Sequence, residues 1–225
     1  KYYLKKMYEA EKYIAERIFS LSNDYNKDSV ISSNILENFE KENNIKFNNE
    51  QLHAIQEALI NKFLVITGGP GTGKTTIIKS ITKIYQQINN YSPYELERHL
   101  ALLAPTGRAS KRITEQSLFP SYTIHRFLKW NKEDDTFNIN ENNLSEVDFV
   151  IIDESSMIDT YLFYNLLLGL KKTTKIVLIG DYNQLPSVGP GQVLEDLIAS
   201  SKVNVIRLNE LYRQQENSNI ITLAY

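Results

Sequence analysis

Cysteine is absent from the 225 residues. Its absence excludes disulfides, thiolate-bound zinc and thiol catalysis, and suits a reducing, cytoplasmic compartment. Positive charge is not in excess either: 25 Lys and Arg face 27 Asp and Glu, for a net charge of −2. A nucleic-acid partner would therefore need a local patch, because the chain as a whole does not announce one. Long apolar runs are also missing. Nothing approaches the ~18–20 residues of a membrane span, and no signal-peptide pattern opens the chain, so no membrane partner is expected. Histidine is scarce, and His53 and His99 show no metal-ligand spacing. The 42% hydrophobic content suffices for one substantial core and a small appendage.

Local patterns divide the chain. Leu4, Met7, Tyr8, Ile14, Ile18 and Leu21 recur at helical spacing, and Ile35, Leu36 and Phe39 mark a second, short helix. Asn48-Asn49-Glu50-Gln51 has the form of a capped helix start, with Leu52, Ile55 and Leu59 predicted on the buried face. From Phe63 onward, continuous apolar strands at 63–67, 100–104, 149–152, 176–179 and 203–208 alternate with helical segments. That rhythm predicts a mostly parallel sheet covered on both faces, with ligands beyond the carboxyl ends of its strands. Residues 131–146 depart from it. They are acidic and Asn-rich, and the turn-like Glu133-Asp134-Asp135 followed by Phe137 and Ile139 suggests a small β-hairpin insertion.

Gly68-Gly69-Pro70-Gly71-Thr72-Gly73-Lys74-Thr75 satisfies the phosphate-loop pattern in full, between a strand and a helix that continues through Thr76. Glycines let backbone N–H groups curl around a phosphate. Lys74 is placed to reach the β/γ oxygens and Thr75 to hold Mg²⁺. A nucleoside triphosphate ligand follows. Asp153 and Glu154 end an apolar strand, where Asp153 suits a water on Mg²⁺ and Glu154 the orientation and deprotonation of an attacking water. Gln184, in Gly180-Asp181-Tyr182-Asn183-Gln184-Leu185-Pro186, suits sensing of the γ-phosphate, and Arg213 in Leu211-Tyr212-Arg213-Gln214 stabilisation of transition-state charge. Ala104-Pro105-Thr106-Gly107-Arg108-Ala109 offers hydroxyl, backbone N–H groups and a cation for a phosphodiester backbone. Thr123-Ile124-His125-Arg126-Phe127 adds an imidazole and aromatic neighbours that suit stacking on bases.

Together, from about Phe47 to Gln214, these segments resemble the first motor domain of RecD-like superfamily 1 DNA helicases, the family of the exonuclease V alpha subunit. Gly68–Thr76 is similar to motif I, Ala104–Ala109 to motif Ia, and Thr123–Phe127 to the next DNA-contacting motif. Asp153-Glu154-Ser155-Ser156 is similar to motif II, Gly180–Pro186 to motif III and Leu211–Gln214 to motif IV. The resemblance implies a RecA-like P-loop fold over 46–225 and an N-terminal accessory tail over 1–45. Residues 128–147 fall where the family places a duplex-splitting hairpin. It also implies ATP with Mg²⁺, Gln51 as adenine reader, and a nucleotide site of Gln51 with Gly69 to Thr76. Pro105, Thr106, Arg108, Thr123 and His125 become the DNA contacts. The implied activity is 5′→3′ translocation on single-stranded DNA, with a second motor domain of the same protein and subunits of a recombination or repair complex as partners. Nothing in the chain resembles the second domain's motifs. The isolated chain is thus expected to bind nucleotide, hydrolyse it weakly and separate no duplex. Two other readings are the motor of a conjugative relaxase, and a nucleotide- and DNA-binding module without turnover.

Overall fold

The computed structural model describes residues 4–24 and 33–209. The two N-terminal apolar stripes form α1 (Lys5–Asn23) and α2 (Ser33–Asn43). Ahead of α3 (Asn49–Ile60) the capping box is complete. The Gln51 N–H donates to Asn48 Oδ1 at 2.8 Å, and the Asn48 N–H donates to Gln51 Oε1 at 3.2 Å. Two donors that a helix start leaves orphaned are thereby satisfied. The buried face of α3 is Gln51, Ala54, Ile55 and Ala58; Leu52 and Leu59, expected on it, pack at its margin.

The remaining elements contain the five expected strands, with the helix Pro93–His99 and the strand Ser121–Thr123 in addition: β1 (Phe63–Gly68), α4 (Lys74–Asn89), α5 (Pro93–His99), β2 (Leu100–Ala104) and α6 (Gly107–Ser117). Then come β3 (Ser121–Thr123), α7 (Ile124–Phe127), β4 (Trp130–Asn131), β5 (Thr136–Phe137) and β6 (Phe149–Ile152). The described part closes with α8 (Thr160–Gly169), β7 (Lys175–Gly180), α9 (Val193–Ser200) and β8 (Val205–Leu208). Six strands make one sheet in the order β3-β2-β6-β7-β1-β8, with every neighbouring pair parallel. The domain is RecA-like α/β. Strand β3 escapes a reading by apolar runs because it is a three-residue edge strand of Ser121, Tyr122 and Thr123, each only partly buried.

Why the central strands are almost entirely apolar is visible in how their side chains divide. Phe63, Val65, Val150, Ile152, Ile176 and Leu178 enter the core shared with α1 and α8. Leu64, Ile66, Phe149, Ile151, Val177 and Ile179 enter the opposite core, shared with α3, α4 and α6. Successive side chains point to opposite faces, so a strand covered on both sides is apolar along most of its length, with Thr67 near the end of β1 and Lys175 at the start of β7 as the exceptions. The N-terminal helix α1 belongs to this packing. Its Ile14, Ile18 and Leu21 lie in the first core, and the Arg17 guanidinium donates to the Lys172 carbonyl at 2.8 Å and to that of Lys171.

Within residues 128–147 the hairpin is present but short, pairing Trp130 with Phe137 and Asn131 with Thr136. Trp130 Nε1 donates to Asp135 Oδ1 at 3.0 Å across its turn. An isolated bridge between Asn140 and Asn143 follows. Among the described residues no helix is long and apolar enough to cross a membrane.

Candidate nucleotide and nucleic-acid site

Strands β1, β2, β6 and β7 deliver their carboxyl ends to one edge of the sheet, where a parallel sheet gathers its ligands. After β1 the chain enters the glycine loop. Gly71 and Gly73 hold φ of 80° and 87°, a region that side chains with a Cβ rarely adopt. Gly68 is needed for a different reason: a Cβ there would lie 2.8 Å from Leu208 Cβ and Thr72 Oγ1. Helix α4 opens on Gly73 with no side-chain cap, so its first N–H groups remain available to an anion. Lys74 Nζ donates to the Gly68 and Gly69 carbonyls at 2.5 and 2.8 Å. Burial lowers the Lys74 pKa, against the pull of Asp181, Asp153 and Glu154.

Opposite the loop, β6 ends in Asp153 and Glu154. Burial pushes the Asp153 carboxyl up to about 6, and the negative charge of Glu154 adds to the rise. The Glu154 N–H, donating to Asp153 Oδ1 at 2.9 Å, and the charges of Lys74 and Arg112 oppose it. Glu154 sits in the left-handed region at φ 52°, ψ 37°, a conformation that costs a non-glycine residue about 1 kcal/mol. This turn is tied to the neighbouring strand, since Ser155 Oγ donates to the Ile179 carbonyl at 2.8 Å. Beyond β7, buried Asp181 accepts the Asn183 N–H at 3.0 Å, while its carbonyl accepts that of Gln184 at 3.1 Å.

These pieces face one cavity of about 760 Å³. Pro70, Gly71, Thr72, Gly73, Lys74, Thr75 and Thr76 line it together with Asp153, Glu154 and Gln184. Its size falls within the range of about 300–1,000 Å³ of small-molecule sites. The Thr75 hydroxyl and the Asp153 carboxylate are hard oxygen donors of the kind Mg²⁺ takes, and Asp153 carries negative charge that burial leaves under-compensated. Gly69 contributes its carbonyl to Lys74 and Thr72. Gln51 stands behind the loop. It is fully buried, outside the residues that line the cavity, and its Nε2 donates to the Thr72 carbonyl at 3.1 Å. Arg213 lies outside the described residues, as does the rest of Leu211–Gln214.

The cavity also has walls that motif reasoning missed: Lys79 and Ser80 of α4, Arg112 and Gln116 of α6, and Phe39, Asn43 and Ile45 around the end of α2. One signal was available in the sequence, the four-residue spacing of Arg108, Arg112 and Gln116 along one helix side. A solvated helix face has the same spacing.

Pro105, Thr106, Arg108, Thr123 and His125 come together because β2 and β3 are paired and each leads into a helix at the same sheet edge. The two threonines cap those helices: Thr106 Oγ1 accepts the Ala109 N–H at 3.2 Å and Thr123 Oγ1 the Arg126 N–H at 3.1 Å. Each hydroxyl keeps its own proton for another acceptor. Pro105 is partly exposed and Arg108 is exposed. His125 packs against the hairpin, 5.4 Å from the Trp130 ring and 6.0 Å from that of Phe137, and the Arg126 guanidinium lies 5.2 Å over Tyr122.

Comparison with known proteins agrees with this architecture. The family model described as an AAA domain matches residues 51–190. The RecBCD enzyme subunit RecD of Buchnera aphidicola subsp. Schizaphis graminum is 38% identical, over 87% of this chain and 34% of that protein. The ATP-dependent RecD2 DNA helicase of Deinococcus radiodurans is 32% identical, over 78% of this chain and 23% of that one. The chain thus spans about a third or less of these two relatives. Among solved structures, the Pif1 helicase from Candida albicans shares the fold at a TM-score of 0.57 and 24% identity, covering 80% of this chain and 43% of that one.

Proposed function

Because the chain belongs to the AAA domain family and is RecD-like in sequence, we propose that it is the ATP-binding motor domain of an ATP-dependent DNA helicase. One observation carries the proposal. Segments as far apart as Pro70, Asp153 and Gln184 line a single cavity at the carboxyl edge of the sheet. Chance similarity of short motifs gives no reason for such convergence.

In this reading the loop N–H groups and Lys74 bind the β/γ-phosphates, and Lys74 exchanges its contacts with the Gly68 and Gly69 carbonyls for phosphate oxygens. Thr75 and Asp153 hold Mg²⁺, which when bound neutralises charge on the phosphates. Glu154 orients a water and accepts its proton as the water oxygen attacks the γ-phosphorus and the bond to the β–γ bridging oxygen breaks. Gln184 reads the γ-phosphate from the loop after β7, and Arg213 supplies a further cation. Gln51 serves adenine binding either directly or by bracing the loop through Thr72. Pro105, Thr106, Arg108, Thr123 and His125 contact single-stranded DNA, and residues 128–147 meet the duplex.

The whole protein is proposed to move 5′→3′ on single-stranded DNA, with a second motor domain closing on the nucleotide. A cytoplasmic location and subunits of a recombination or repair complex as partners complete the proposal. The test is DNA-stimulated ATP hydrolysis by the full-length protein. It should fall about a thousandfold in Lys74→Ala, a loss of about 4 kcal/mol in barrier terms, with the fold intact by circular dichroism. Hydrolysis within a few-fold of wild type would end the assignment.

A further inference from the structure

The cavity wall contributed by α6 carries a charge for which the motif pattern has no role. Arg112 stands in the middle of α6 and lines the cavity together with Lys74, Thr75, Asp153, Glu154 and Gln184. Helix α6 packs beside α4. Helical side chains lean toward the helix N-terminus, so a long side chain in mid-α6 reaches back up to the strand ends where the site lies. Arg112 is exposed, and among the described residues its side chain makes no hydrogen bond or ion pair. Its charge is nevertheless felt by both Lys74 and Asp153. A second cation on the wall of the cavity that Lys74 also lines, unpaired among the described residues, is poorly placed for stability and well placed for a polyanion. The guanidinium fork matches phosphate oxygens two at a time.

We propose that Arg112 is a phosphate-binding residue of the nucleotide site, contacting the terminal phosphate of a bound nucleoside triphosphate. The inference rests on the nucleotide-binding reading of the glycine loop. The terminal phosphate is chosen because Arg112 lines the same cavity as Glu154 and Gln184 and its charge acts on Lys74 and Asp153, all groups of the reacting end. The inner phosphates have the loop N–H groups. Arg112 therefore distinguishes triphosphate from diphosphate within this one domain.

Titration of the 225-residue chain with Mg·ADP and with a slowly hydrolysed Mg·ATP analogue tests this. Arg112→Ala should weaken the triphosphate analogue about tenfold or more, as expected for loss of a charged hydrogen bond, and Mg·ADP less than twofold. Arg112→Lys should recover part of the loss. Lys111→Ala, at an exposed cation of the same helix that does not line the cavity, should change neither. Alanine is favourable at an exposed helix position, so the fold should survive the change, and circular dichroism checks it. Equal weakening of both nucleotides, or of neither, by Arg112→Ala would overturn the proposal. Lys74→Ala keeps the two failures apart. If it abolishes binding while Arg112→Ala changes nothing, only the role of Arg112 falls; if it leaves binding intact, the nucleotide site itself is wrong.

Discussion

The two ends of the parallel sheet are built from the same strands and carry similar charges, yet they treat those charges in opposite ways. At the amino end, where β2, β6 and β7 begin, His99 Nδ1 lies 2.5 Å from Asp148 Oδ2 and Lys171 Nζ 3.3 Å from Asp148 Oδ1. Burial raises the Asp148 pKa, but hydrogen bonds from His99 and Lys171 outweigh it and hold the carboxyl below its ordinary value. Arg98 pairs with Glu146 at 3.5 Å, and Tyr91 stacks on His99 at 4.5 Å. Even Lys175, brought down to about 8 by burial, donates to the Leu59 carbonyl and lies over the Phe149 ring. At the carboxyl end, among the described residues, no ion pair joins Lys74, Arg112, Asp153, Glu154 or Asp181. There Asp153 is raised, Lys74 is lowered, and Glu154 is held in a left-handed conformation. One end completes its charges internally. The other leaves them without ion pairs among the described residues, which in the proposed function a bound nucleotide completes, as functional sites do at a cost in stability.

The sharpest test of this contrast is activity. In the full-length protein Glu154→Gln should lower ATP hydrolysis by about 10²–10⁴, the range of a lost general base, without loss of fold. His99→Ala should leave hydrolysis within about twofold and lower the melting temperature instead. A large loss of turnover in His99→Ala would show that the amino end is not merely structural.

Stability against pH comes next and should separate two aspartates at opposite ends of β6. Because the folded pKa of Asp153 is raised to about 6, the folded state holds its proton more tightly than the unfolded state does. Stability is therefore lost as pH rises from about 4 to about 6 and stays lowered above that. Without nucleotide or divalent cation, Asp153→Asn should stabilise the chain by on the order of 2 kcal/mol at pH 7.5 and by little at pH 4. Asp148 has the opposite sign. Its depressed pKa contributes stability above the ordinary carboxylate range that is lost as pH falls through the folded value, so Asp148→Asn should destabilise at pH 7.5. Since that side chain is 44% exposed, solvent screening keeps the effect below about 1 kcal/mol. Denaturant melts at the two pH values decide it, and destabilisation by Asp153→Asn at pH 7.5 would contradict the contrast.

Gln51 tests how far the ligand-completed region extends. Its amide is bonded to Asn48 and Thr72, so Gln51→Ala should weaken ATP and CTP alike, by about fivefold for one lost hydrogen bond of about 1 kcal/mol. Selective loss of ATP would instead make Gln51 a direct adenine contact. The smallest effect is expected at Arg108. Replacing this exposed arginine by alanine should weaken single-stranded DNA uniformly across sequences and reduce the salt slope by up to about one unit. Unchanged affinity and slope would remove it from the DNA surface.

Much of this was legible along the chain because it is written in local chemistry. The run 63–66 and the strand Phe149–Ile152 are apolar at every position, which burial on both faces explains, and the glycine loop between strand and helix has few other uses. The Asn48–Gln51 cap could be read directly from its spacing. Strand β3 was not legible, since Ser121, Tyr122 and Thr123 pair with β2 at the sheet edge without any apolar run to mark them. The position of Gln51 behind the loop was not legible either, because a side-chain amide that caps a helix and one that reads a base look the same in sequence.

By itself, the sequence determined the alternation of the five apolar strands with helices, the phosphate loop and the paired carboxylates, because each depends on residue types at short, fixed spacing. Only the tertiary structure decided that α6 lies beside α4 and brings Arg112 into the cavity, and that His125 packs on the hairpin. It likewise decided that charges are paired where β2, β6 and β7 begin and, among the described residues, unpaired around Lys74 and Asp153 at the other end. These are juxtapositions of segments tens of residues apart, set by which faces the sheet buries and not by any local pattern that a linear reading can detect.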